Sequence, residues 1–170
     1  MNSNQDDRFN EAVAFVLANE GDYTCNPGDP GGITKFGISE QFVKDNHIAT
    51  TIKDLTLDEA KKLYKEFFWD KYSFNALNNI KVATKVFDTA VNIGPVPAIK
   101  LLQQVVFQTI TNPPVDGILG PKTISETNKR YSGYIIGHYK AMLINYYNNL
   151  VQKNPKLSIF LKGWHARALR

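Results

Sequence analysis

The chain predicts a mostly α fold, with at most a short β-hairpin within residues 23–38. Three observations carry that expectation. Apolar residues recur at spacings of three and four along most of the 170 residues, capping residues and Gly-Pro stops punctuate those runs, and alternating β-branched stretches are nearly absent.

Phe9, Val13, Val16 and Glu20 share one face of a first helix, which puts the Glu20 carboxylate at the end of an apolar stripe. From Glu20 to Ile38 the periodicity gives way to five glycines and two prolines, and Asp29-Pro-Gly-Gly32 is strong turn chemistry, so the chain folds back sharply there. Ser39 can cap a short helix through Phe42 and Val43. Thr56-Leu-Asp-Glu59 has the spacing of a capping box and opens a helix with Leu57, Ala60, Tyr64, Phe67 and Phe68 on its apolar face. Trp69, Tyr72 and Phe74 follow as core aromatics sealing the next turn, with sugar stacking as the other role open to one of them.

Val82, Val86, Ala90 and Ile93 define a helix from Ile80 to Ile93 that Gly94-Pro95 stops. Asp88 and Asn92, four apart, share one edge of it, and either brace helix packing or line a cleft. Ile99, Leu102, Val106 and Ile110 turn inward on a helix over 96–110, which leaves Gln103, Gln104 and Gln108 for polar contacts. Pro121 sits where a helix start tolerates its missing N–H. A long amphipathic helix over 134–152 carries Ile135, Tyr139, Met142, Leu143, Tyr146 and Leu150, and His138 reads as a surface or half-buried side chain on it. Helical spacing resumes around Leu161, Trp164 and Leu169.

Composition excludes several classes. The single cysteine, Cys25, rules out an internal disulfide framework, and without a nearby His partner it reads as a plain loop thiol. There is no Walker loop, no Cys-x-x-Cys pair and no His-rich cluster, so neither a cofactor nor a metal is expected, nor a nucleic-acid partner. The start Met-Asn-Ser-Asn-Gln-Asp-Asp lacks the basic opening of a signal peptide, so synthesis in the cytoplasm and a monomeric soluble chain are expected. The net charge of +4 is segregated: residues 1–119 carry 11 Lys+Arg against 15 Asp+Glu, whereas 120–170 carry 9 against Glu126 alone. That basic third is either a solvated face or a contact for acidic polymers of the cell envelope.

The chemistry concentrates in the Gly-rich segment. A carboxyl at the end of an apolar stripe, facing the negative end of a helix dipole, is the environment in which proteins build a general acid. Asp29 and Thr34 lie in a loop able to turn back over that helix end. Glycosidic hydrolysis needs such a set, one group to protonate the leaving oxygen and another to position water on the opposite face. If Asp29 with Thr34 holds the water, inversion at the anomeric carbon is expected. Asp22 is the rival second carboxylate.

The strings Glu20-Gly-Asp-Tyr23 and Asn26-Pro-Gly-Asp-Pro-Gly-Gly-Ile-Thr-Lys-Phe-Gly-Ile38 strongly resemble the signature of glycoside hydrolase family 108, the N-acetylmuramidases found as phage endolysins and bacterial autolysin-like or secretion-associated lysozymes. Phe87-Asp88-Thr-Ala-Val-Asn92-Ile-Gly-Pro95, Leu101-Leu-Gln103, Val115-Asp-Gly-Ile-Leu-Gly-Pro-Lys-Thr123 and Gly163-Trp164 with Arg167 resemble the peptidoglycan-binding region that follows the catalytic part. The resemblance implies a lysozyme-like helical fold with Glu20 as catalytic acid. It further implies a catalytic part over 1–94 and a helical binding region over 95–170, which the short connection 93–97 would join into one globule. Tyr23, Gly32, Phe36, Asp88, Asn92 and Gln103 are the candidate substrate-binding residues, and glycan strands of peptidoglycan the partner. The chain departs from the family at Asp22, where glycine is usual, and at Lys35-Phe36, where Asn-Tyr is frequent.

The leading expectation is hydrolysis of the β-1,4 bond between N-acetylmuramic acid and N-acetylglucosamine, reached after holin-mediated or dedicated export. A lytic transglycosylase, which needs one carboxyl and no held water, is the enzymatic alternative. A non-catalytic wall-binding or secretion-accessory protein is the other, and an intact Glu20 argues against it.

Overall fold

A computed structural model describes residues 3–20, 23–25, 33–109 and 114–170. Asp22, Asp29, Gly32 and Ile110 lie outside them. The fold is mostly α, and the chain divides into two compact units, 1–75 and 76–170.

In the first unit, α1 (Ser3–Glu20) buries Phe9, Ala12, Val13 and Val16. Among the described residues strands occur only over 23–39, one residue and one strand beyond the expected hairpin: β1 (Tyr23–Cys25) and β2 (Ile33–Lys35) pair antiparallel, and a two-residue β3 (Ile38–Ser39) adds to the far edge of β2. Cys25 therefore ends a strand instead of lying in a loop. Ser39 caps α2 (Glu40–Asp45), its Oγ accepting from the Phe42 N–H at 3.1 Å. The predicted capping box forms at α3 (Leu57–Tyr64), with the Glu59 carboxylate accepting from the Thr56 N–H at 2.8 Å. Those Thr56 hydrogen bonds hold the Glu59 carboxyl below its usual range.

The apolar face of α3 differs from the simple periodic reading. Leu57, at the first position of the helix, is exposed and Leu63 is buried; beyond Tyr64 the chain passes into a π-helical stretch, Lys65–Asp70, whose wider turn shifts the register of the residues that follow. Trp69 consequently enters the core, its ring 5.9 Å from Phe9 and 6.3 Å from Phe74, while Phe67 and Phe68 stay half-buried around Phe42.

Among its described residues the second unit has five α-helices: α4 (Ile80–Ile93), α5 (Pro95–Val106), α6 (Pro121–Lys129), α7 (Ser132–Lys153) and α8 (Ser158–Leu169). Helix α4 is its centre, buried without interruption from Val82 to Ala90. Asn79 caps it, and Gly94 stops it with a φ of +91° open to glycine at little cost. Helix α5 ends at Val106, one turn short of the expected end. On α7 the core stripe is Ile135, Tyr139, Leu143 and Tyr147, each about 1 % exposed, so Tyr147 and not Tyr146 occupies the inward position. Among the described residues no helix is long and apolar enough to cross a membrane.

Candidate active site

Glu20 is the last residue of α1, half-buried one turn beyond Val16. The two residues joining β2 to β3, Phe36 and Gly37, have φ of 52° and 78°. Both central positions of this hairpin turn are therefore left-handed, as in a type I′ turn, and a phenylalanine there costs about 1–3 kcal/mol of backbone strain. Tyr64, fully buried at the end of α3, restrains the strained residue by donating its hydroxyl to the Phe36 carbonyl at 2.9 Å.

The turn lies directly on the Glu20 side chain. A Cβ on Gly37 would overlap the Tyr64 hydroxyl and stand 2.6 Å from Cγ and 3.0 Å from Cδ of Glu20. Only a glycine lets the backbone approach this closely at that φ. Glu20, the Phe36-Gly37 turn and the Tyr64 hydroxyl thus form one cluster drawn from three elements. Periodicity counted Tyr64 as an apolar-face residue; a hydroxyl reaching a carbonyl 28 residues back leaves no local signal.

Thr34 is the middle residue of β2, half-buried and opposite Thr24 and Ser39 in the two ladders. Tyr23 opens β1, paired with Lys35, and Phe36 is half-buried in the turn. The sheet therefore brings the segments of Tyr23, Thr34 and Phe36 together in the same unit as Glu20. Asp29 and Gly32 fall in the undescribed part of that segment.

The three candidates of the second unit are committed to internal partners. Asp88 is 1 % exposed and pairs with Arg167 of α8, Nη2 to Oδ1 at 2.9 Å. Removing one partner of such a buried pair costs about 3–5 kcal/mol. Asn92 accepts from the Tyr147 hydroxyl at 2.6 Å. Both contacts match the bracing reading of this pair. Gln103, also 1 % exposed, donates to the Asp116 carboxylate at 2.7 Å, the Ile118 carbonyl at 3.0 Å and the Thr123 hydroxyl at 3.2 Å, and accepts from the Gly117 N–H at 2.8 Å. It is the hub that folds the loop before α6 onto α5. The Gln103 amide and the Ile118 N–H also keep the Asp116 carboxyl below its usual range.

Around Asp88 the second unit concentrates charge. Lys85, 4 % exposed, donates to the Arg167 carbonyl at 2.8 Å, and Lys140 donates to the Leu169 carbonyl at 2.7 Å, so two lysines cap the C-terminus of α8. Burial pushes the Lys85 ammonium down to about 8, aided by Lys140 and Arg167 and opposed by Asp88. Among the described residues no three His, Cys, Asp or Glu side chains are placed to hold a metal ion.

Residues 13–94 match the family model described as glycosyl hydrolase 108, and residues 97–169 match one described as a predicted peptidoglycan domain. The solved structure of Brucella abortus SagA is similar along nearly the whole chain, with 30% identity, a TM-score of 0.79, and 95% of this chain and 90% of that one covered. No curated protein matches.

Proposed function

Since this chain belongs to the glycosyl hydrolase 108 family and is a glycoside hydrolase of the cell wall with a peptidoglycan domain, we propose that it is an N-acetylmuramidase with Glu20 as general acid. The bond cut is the β-1,4 linkage between N-acetylmuramic acid and N-acetylglucosamine. One observation carries this reading: Glu20 ends a buried stripe and is held against a strained turn and a buried hydroxyl, inside the span of the glycosyl hydrolase match. A carboxyl so restrained is preorganised to protonate a leaving oxygen. Asp29, assisted by Thr34, is the proposed partner that orients the attacking water, and inversion follows from that assignment. The enzyme acts as a monomer that lyses walls, delivered by a holin or a dedicated export system.

Mass spectrometry of muropeptides released from purified sacculi tests the bond and the acid together. Reducing N-acetylmuramic ends are expected, and anhydro-muramyl ends would replace hydrolysis with transglycosylation. Glu20→Gln keeps size and polarity but removes the transferable proton, so release should fall by about 10²–10⁴-fold in a folded protein. More than about a tenth of the activity surviving rejects Glu20 as an acid worth that factor. Early proton NMR of the same digest reads the new anomer: α supports the water-holding role of Asp29 and Thr34, and β makes a carboxylate nucleophile.

A further inference from the structure

We infer that the groove between α5 and α7, within the second unit, is a binding site for an N-acetylated glycan strand bearing its stem peptide. It rests on the reading of the chain as a peptidoglycan hydrolase and says where that polymer is gripped. The groove encloses about 440 Å³, within the range of about 300–1,000 Å³ usual for small-ligand sites.

Its walls are two stripes at helical spacing. Residues 97, 100, 101 and 104 form one face of α5, and 142, 145, 146 and 149 form the facing stripe of α7, with 142 and 146 each one position before the core residues 143 and 147. Met142 and Tyr146 carry apolar surface that periodicity assigns to the core, yet both are only half-buried and flank this groove. Between them stand amides. Gln104, Asn145 and Asn149 are exposed and make no side-chain hydrogen bond among the described residues.

Amides offer donors and acceptors at once, which is what N-acetyl groups, hydroxyls and peptide bonds require, and a tyrosine ring offers a flat face to a sugar. Lys100 adds a cation at the rim for the carboxylates of the lactyl-linked peptide. Its near acidic neighbour, Asp116, is already engaged by Gln103 and the Ile118 N–H. No carboxylate lines the groove, in a unit that carries 12 Lys+Arg against 3 Asp+Glu. An anionic N-acetylated polymer fits this chemistry better than a neutral or cationic one.

The test uses the full chain in the Glu20→Gln background and two probes, a disaccharide muropeptide and an N-acetylglucosamine oligomer that lacks lactyl and peptide. Backbone NMR shifts on titration should map to α5 and α7. Tyr146→Ala should weaken both probes about 10-fold or more, and Lys100→Glu should weaken the muropeptide alone by a similar factor. Lys100 is exposed and Tyr146 half-buried, and circular dichroism confirms the fold of both variants. Wild-type affinity in both variants, shifts confined elsewhere, or no binding of the muropeptide overturns the inference. Unchanged binding beside normal muramidase products sinks the groove and leaves the enzyme reading. Lost binding beside products with other ends does the reverse.

Discussion

At the scale of single residues the site depends on one hydroxyl. Tyr64→Phe removes the donor to the Phe36 carbonyl and leaves that acceptor unpaired beside a fully buried ring, a loss of about 1–3 kcal/mol. The strained turn would then relax away from Glu20. Because small misplacement of a catalytic group costs up to about 10²-fold, kcat should fall well before KM changes. Steady-state kinetics on solubilised glycan checks this, and an unchanged kcat would detach Tyr64 from the positioning of the carboxyl. The place of Glu20 at the end of α1 was legible in the sequence, because helical spacing alone ends an apolar stripe on it. Its neighbours were not, because the approach of Gly37 and Tyr64 depends on how a hairpin and a third helix pack.

At the scale of elements, Gln103 holds α5, the 116–118 loop and α6 together through four side-chain hydrogen bonds. Gln103→Ala leaves the Gly117 N–H without its partner, and a buried unpaired group costs about 1–3 kcal/mol, so the melting temperature should drop by several degrees while the Glu20 cluster is untouched. A melting temperature equal to wild type would strip Gln103 of its role as hub. The packing of α8 on α4 carries a pH signature. Lys85 titrates near 8 when folded and at its ordinary 10.5 when unfolded. Below pH 8 both states hold the proton, and the folded state bears the full cost of the buried ammonium. Between those values the unfolded chain binds more protons, so stability rises with pH. Burial raises the phenols of Tyr139 and Tyr147 above their ordinary 10.0, so beyond pH 10 the unfolded chain loses protons first and stability falls. Urea midpoints across that range should rise from pH 8, turn over near pH 10, and lose the rise in Lys85→Met. A flat wild-type profile would contradict the buried ammonium.

At the scale of the whole molecule, charge follows the compact units. Residues 1–75 carry 8 Lys+Arg against 13 Asp+Glu, net −5, and 76–170 carry 12 against 3, net +9. The glycosyl hydrolase match ends at residue 94, so it includes α4, the central helix of the second unit. Wall binding by the inactive Glu20→Gln chain should weaken as salt rises, since exposed charge reaches only about 8 Å at physiological ionic strength. Sacculus pull-down over a salt series measures it. A constant bound fraction would assign the basic surface to solvation alone.

Helix positions, caps and stops were decided by the sequence alone: α4 runs over the expected residues, Thr56 and Glu59 close their capping box, and Pro121 opens α6. Each depends on groups within about four residues of one another, a range over which side-chain spacing is fixed by the helix itself. Tertiary structure decided which polar groups pair with one another inside the fold. Asp88 finds Arg167 across 79 residues, Gln103 reaches partners 13 to 20 residues on, and Tyr147 takes the core place expected of Tyr146. A polar side chain written on a helix face meets its partner only through the packing of other helices, and neither the distance nor the partner is encoded in the spacing of the chain.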